Sequence, residues 1–263
     1  MKATDQLETK ASADGYNKTQ LNVEEDMSRH VYHRDRLAHF FRWSHMMRAM
    51  KQGLRIVDLG CGSGNLALML YANRFNPELY LGVDIRGKTL ESAASYWEGR
   101  KFPAEFLAAD LCKDGWQQPV LDMFKEGRPD IITSFEFVEH IPGEQVEPFL
   151  KRVNNIMGID TRFYLSTPCY DGIRKAENHI KEWYYQELKD VLVKWFDIED
   201  HWGTFISQAD FLAELQQGKS EYAGIQQTWD RLRTYYGSET LAVLFAPLFP
   251  EIARNCIWKL KIK

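Results

Sequence analysis

Residues Val57-Asp58-Leu59-Gly60-Cys61-Gly62-Ser63-Gly64 decide how this chain folds. They follow the apolar run Leu54-Arg55-Ile56-Val57 and lead into Asn65-Leu66-Ala67-Leu68-Met69-Leu70. That order reads strand, glycine-rich turn, helix. Glycine adopts positive φ without steric cost, so such a turn lets a ligand lie against bare backbone at a helix N-terminus. A second apolar run, Leu79-Tyr80-Leu81-Gly82-Val83, ends in Asp84. A carboxylate about 20 residues beyond a glycine turn suits two ribose hydroxyls, because it accepts a hydrogen bond from each. The pattern therefore points to a nucleoside-containing cofactor.

The spacing narrows the choice. A dinucleotide fold uses G-x-G-x-x-G, whereas Gly60, Gly62 and Gly64 are spaced G-x-G-x-G, with Asp58 in the strand end. This stretch resembles the first motif of class I S-adenosylmethionine (SAM) methyltransferases. Ala108-Ala109-Asp110-Leu111 resembles their third motif. Asp130-Ile131-Ile132-Thr133-Ser134-Phe135-Glu136 resembles the fourth strand and its active-site end, and Ser166-Thr167-Pro168 the end of the fifth. The ordered matches cover residues 54–170. The resemblance implies an α/β, Rossmann-like fold with a mostly parallel seven-stranded sheet and an antiparallel last strand. It also implies SAM as cofactor, with Asp58, Gly60, Cys61, Gly62, Asp84, Ile85, Asp110, Leu111 and Phe135 as binding residues. Asp84 is expected at the ribose, Asp110 at the adenine edge, and Cys61 to contribute only its backbone.

Composition agrees with a single large α/β domain. The chain has 263 residues, 44% of them hydrophobic, enough for a packed core. A net charge of −4 argues against a general nucleic-acid binder. No apolar run approaches the roughly 20 residues that span a bilayer, and Met1-Lys2-Ala3-Thr4-Asp5 has no apolar signal core. A cytoplasmic protein is expected. Cys61, Cys112, Cys169 and Cys256 form no C-x-x-C pair, and reduced thiols are the default.

Residues 1–27 read as a polar tail and 28–53 as an N-terminal lid helix, with Ser28 as its cap. Residues 54–263 form the expected methyltransferase domain. The helix carries Arg29, Arg34, Arg36, Arg42, Arg48 and Lys51. These describe either a solvated face or a lid that meets an anionic group, such as the SAM carboxylate or an acceptor phosphate. Arg36-Leu37 resembles a pair that precedes the first strand in the ubiquinone-biosynthesis enzymes, which makes Arg36 the expected partner of the SAM carboxylate, with Arg34 or Arg42 as substitutes. Strand and helix then alternate, so ligands are expected beyond the carboxyl ends of the strands. A strand is expected at Trp195–Asp200 and a last one at Cys256–Ile262. Helices within residues 205–255 read as an insertion that caps the acceptor pocket, or else as a surface elaboration or dimer contact.

Glu136-Phe137-Val138-Glu139-His140-Ile141-Pro142 follows the fourth strand directly. Glu136 and Glu139 are one helical turn apart, and His179 lies further on, before a helix. Two carboxylates and two imidazoles make a mixed O/N site suited to a divalent ion such as Mg²⁺, Mn²⁺, Zn²⁺ or Fe²⁺. The E-x-x-E-H pattern with a later His resembles the ubiquinone-biosynthesis O-methyltransferases. It also resembles the small-RNA 3′-terminal 2′-O-methyltransferases, in which such residues hold a metal at the terminal hydroxyls. Carried over, that resemblance makes Glu136, Glu139, His140 and His179 the metal ligands. Without a metal, His140 serves as a general base, with Glu136 as the second catalytic candidate, or Glu139 and His140 simply pack the loop. A hydroxyl is a poor nucleophile while protonated, so the cluster favours transfer to oxygen. A small-molecule acceptor is the first expectation. A nucleic-acid or nucleotide acceptor is the alternative, since no nucleic-acid module is recognisable. A SAM-binding protein without activity is a third. The sequence does not set the oligomeric state.

Overall fold

The computed structural model describes residues 34–48, 50–125, 127–173, 175–219 and 222–263. The expected tail and the first turns of the N-terminal helix lie outside them. The described part of that helix is α1 (Arg34–Met47). The core then follows as β1 (Arg55–Leu59), α2 (Asn65–Ala72), β2 (Leu79–Asp84), α3 (Gly87–Trp97), β3 (Ala104–Ala108), α4 (Gln117–Asp122) and β4 (Ile131–Phe135). After a 3₁₀ turn at Val138–His140 come α5 (Gly143–Ile156), β5 (Arg162–Pro168), α6 (Tyr185–Trp195) and β6 (Phe196–Phe205). Helices α7 (Gln208–Leu215), α8 (Ala223–Leu232) and α9 (Ser238–Phe245) precede β7 (Asn255–Ile262).

The seven strands form one sheet in the order β3-β2-β1-β4-β5-β7-β6. The pairs from β3 through β5 are parallel, and β7 runs antiparallel to both β5 and β6. This is the mostly parallel, Rossmann-like seven-stranded sheet with an antiparallel last strand that the sequence leads one to expect. The order reverses between β1 and β4, and the crevice at such a switch point is where ligands enter. β1, β2 and β4 are almost continuously buried, as strands covered on both faces must be.

Neighbouring residues of a strand face opposite sides, and the core divides accordingly. Ile56, Tyr80, Ile131, Tyr164 and Ile257 pack toward α1, α2 and α3. Val57, Leu81, Ile132, Leu165 and Trp258 pack toward α4, α5 and α6. Helix α5 buries Val146, Phe149, Leu150, Val153 and Ile156, the i, i+3, i+4 spacing of one helical stripe.

The 205–255 insertion has its own apolar centre, in which Phe211, Leu215, Trp229, Leu241 and Phe245 pack together and Phe41 of α1 joins them. It rests directly on β6. A Cβ built on Gly203 would stand 2.5 Å from the Ala246 carbonyl oxygen and 2.5 Å from Ala253 Cβ, so only glycine fits there. Here the sequence reading falls short. β6 does not end at Asp200 but continues to Phe205, pairing Trp202 with Ile257 and Phe205 with Asn255. Gly203 marks a close approach. The strand tolerates it through register shifts between Ile198 and Asp200 and between Gly203 and Phe205.

Candidate active site

The glycine turn folds as its spacing requires. Gly60, Gly62 and Gly64 all have positive φ, between 58° and 79°. The Gly60 and Cys61 N–H groups donate to the Val83 carbonyl at 2.8 and 3.1 Å, which ties the turn to β2. Gly62 N–H donates to Asp84 Oδ2 at 2.9 Å. Asp84 Oδ1 accepts from the backbone N–H and the Nε of Arg86, both at 3.0 Å. Asp84, Ile85, Asp110 and Leu111 thus gather beside the turn at the carboxyl ends of β2 and β3. Asp110 Oδ1 accepts from the Cys112 N–H at 3.0 Å and Oδ2 pairs with Lys113, while Leu111 is buried. These residues fit a nucleoside: bare backbone, an acid at the ribose position and a second acid further along the edge.

Asp58 has a different environment. Its carboxylate is buried and accepts from Tyr80 Oη at 2.7 Å and from Thr133 Oγ1 at 2.7 Å. Burial pushes its carboxyl up to about 6, although both hydrogen bonds pull the other way. Asp58 therefore clamps β1 to β2 and β4 beneath the turn.

Beyond β4 the backbone becomes strained. Glu136 has φ of +54°, the left-handed region that a non-glycine residue rarely adopts. That conformation turns its carboxylate toward β5 and β7. Oε1 accepts from Ser166 Oγ at 2.9 Å, Asn255 Nδ2 bonds both oxygens at 2.9 and 3.1 Å, and Arg42 lies 3.3 Å away. Asn255 Oδ1 in turn accepts from Thr204 Oγ1 at 2.8 Å and from the Arg42 guanidinium at 3.3 Å. Phe135, the preceding residue, is half-buried at the strand end.

The 3₁₀ turn then carries Glu139 and His140. Glu139 is wholly buried. Its Oε2 accepts from Thr167 Oγ1 at 3.0 Å, while Oε1 has no hydrogen-bond partner among the described residues. Burial first, and then the nearby Glu136 charge, push its carboxyl well up. The Glu139 carbonyl accepts from the Ile180 N–H at 2.7 Å, which docks the loop bearing His179. His140 Nδ1 lies 3.0 Å from the Asn178 carbonyl, and His179 Nδ1 lies 2.6 Å from Glu182 Oε1. Burial lowers the His140 pKa, so the ring is neutral at neutral pH.

Potential ligand atoms of Glu139, His140 and His179 lie within 4.8 Å of one another. The structure thus brings together three of the four residues expected at a metal, and Glu136 faces its own partners. An orphaned buried carboxylate oxygen beside two imidazoles fits a divalent cation, which would satisfy it. The side chain of Arg36 lies outside the described residues. Arg42, on the same helix, is buried and pairs with Glu136. Sequence reasoning assigned no role to Asn255, Ser166, Thr167 or Glu182. Only the i, i+3 spacing of His179 and Glu182 carried a signal.

Comparison with known proteins agrees with this geometry. A family described as "Methyltransferase domain" matches residues 29–215. A sphingolipid C9-methyltransferase 2 of Gibberella zeae is 30% identical over 166 residues, which is 62% of this chain and 26% of that protein. The chain therefore matches about a quarter of that relative's length. Among solved structures, magnesium protoporphyrin IX methyltransferase from Synechocystis PCC 6803 with bound SAH is similar at a TM-score of 0.53 and 16% identity, covering 100% of this chain and 95% of that one. The small RNA methyltransferase HEN1 gives 0.55 at 17% identity, covering 84% of this chain and 25% of that one. At such identities these two likenesses speak to the fold.

Proposed function

This chain belongs to the methyltransferase domain family, and from that premise we propose that it is a SAM-dependent enzyme that methylates a hydroxyl oxygen of a small-molecule acceptor with a divalent metal at Glu139, His140 and His179. The observation that carries the reading is the convergence of those three side chains just beyond β4. SAM, when bound, supplies a methyl group on a sulfonium, and a metal, when bound, lowers the pKa of an acceptor hydroxyl.

The remaining work falls to the chain. The glycine turn and Asp84 orient the cofactor against the sheet edge. Glu136 and the strained backbone at the end of β4 fix the entry to the 3₁₀ turn. In this reading Glu139, His140 and His179 would hold the metal beside the acceptor oxygen. The Glu/His cluster supports an oxygen nucleophile, because an amine acceptor needs less help to lose its proton.

The test uses SAM labelled in the methyl group with a panel of hydroxylated small molecules, RNA and DNA. Label is expected in a small-molecule hydroxyl, and chelation is expected to abolish turnover while SAM affinity by calorimetry stays the same. Equal turnover in EDTA removes the metal from the mechanism, and label in nucleic acid alone reassigns the acceptor. The sphingolipid relatives favour a second reading, an acceptor that is itself a lipid. Exposed Ile173, Ile180 and Tyr184 on the loop around His179 offer an apolar footing for such a chain. A sphingolipid belongs on the panel.

A further inference from the structure

Glu182 lies outside every motif of the sequence, yet it is among the most firmly held side chains of the loop between β5 and α6. Its side chain is 8% exposed and that of His179 is 14% exposed. Its Oε1 receives His179 Nδ1 at 2.6 Å and the Ala176 N–H at 2.9 Å. Oε1 already accepts the Ala176 N–H, so it meets Nδ1 as an acceptor too, which puts the proton of His179 on Nδ1 and the lone pair on Nε2. The Asn178 carbonyl imposes the same tautomer on His140. The two rings stand nearly perpendicular, at 81°, with centroids 5.0 Å apart. Two imidazoles in the ligand tautomer, each oriented by an acceptor behind it, are the usual outer-shell arrangement of a metal site.

We propose that Glu182 is a positioning residue for a divalent cation, setting the tautomer, direction and basicity of His179 so that its Nε2 converges with His140 and Glu139. This rests on the metal reading above. Two imidazoles and one carboxylate favour Mn²⁺, Fe²⁺, Co²⁺ or Zn²⁺ over Mg²⁺, which prefers oxygen ligands. Three protein ligands also leave coordination positions for an acceptor oxygen. A loop cap alone would need only an acceptor for the Ala176 N–H, which a glutamine supplies equally well. The charge on Glu182 serves the imidazole.

The experiment titrates Co²⁺ into the chelator-stripped full chain and follows the visible absorption of the bound ion. The wild type should saturate, and Glu182→Gln should bind about 10–100-fold more weakly with an altered spectrum, while SAM affinity and melting temperature stay the same. A wild type that binds no Co²⁺ overturns the metal reading and this proposal with it. A wild type that binds, beside a Glu182→Gln variant of equal affinity and spectrum, overturns this proposal alone. A second measurement needs no variant: ¹⁵N chemical shifts of the metal-free wild type should show His179 protonated on Nδ1. Protonation on Nε2 overturns the assignment.

Discussion

Asp84 holds the Gly62 amide with one carboxylate oxygen and Arg86 with the other. In the proposed site a ribose shares that carboxylate, so Asp84→Ala should weaken SAM binding at least about tenfold, about 1.4 kcal/mol. Calorimetry checks this, and an unchanged affinity removes Asp84 from the site. Asn255 holds a comparable position on the other side. Asn255→Leu leaves the Thr204 hydroxyl and the Glu136 carboxylate short of a partner in a buried network. It should cost roughly 1–3 kcal/mol in urea unfolding. The two residues differ in how legible they are. Asp84 stands at a fixed distance from a glycine turn, so local sequence announces it. Asn255 meets Glu136 across 119 residues, and no spacing rule reaches that far. Glu139, His140 and His179 were legible as residue types, but which oxygen of which carboxylate stays unpaired depends on Thr167 and the loop, which only the fold supplies.

The elements were easier to read than their ends. Apolar runs closed by Asp or Gly marked β1, β2 and β4, because a strand buried on both faces has little choice of residue. The stretch Trp195–Asp200 covers only the first part of β6, because its continuation to Phe205 depends on pairing with β7 and packing against Ala246, which local sequence does not reveal. Helix α1 is bound to the sheet through a buried cation, Arg42. Arg42→Met removes one partner of Glu136 and should weaken the docking of α1, exposing the segment before Arg55 to faster proteolysis and lowering SAM affinity. Equal proteolysis rates would show that the other contacts of α1 suffice to hold it. The insertion has its own anchor. Trp229 is fully buried against Phe211 and Phe245, so Trp229→Ala should cost about 3–5 kcal/mol by denaturant unfolding.

Over the whole molecule, two carboxylates set opposite responses to pH. Asp58 has a folded pKa raised by burial to about 6, above its ordinary 3.8. The folded state then binds more protons than the unfolded one, and the Asp58 contribution to stability declines as pH rises from about 4 to about 6. Asp130, which joins β4 to β1 through Arg55, behaves conversely. Burial pushes it up, but the hydrogen bonds from Arg55 outweigh that and hold it below 3.8. Its contribution is present above that value and is lost as pH falls through the folded one. Melting temperatures from pH 3 to 7 should show Asp58→Asn removing the first slope and Asp130→Asn the second, and parallel curves would deny both. The contact between Arg42 and Asn255 spans 213 residues. At a synthesis rate of about 5–20 residues per second, Arg42 emerges from the ribosome roughly 10–40 s before its partner. Until then Arg42 and Glu136 lack the Asn255 amide that joins them. The growing polypeptide can assemble its glycine turn early, but the edge around Glu136 is completed only when β7 arrives, so a nascent chain carries no finished site to a substrate.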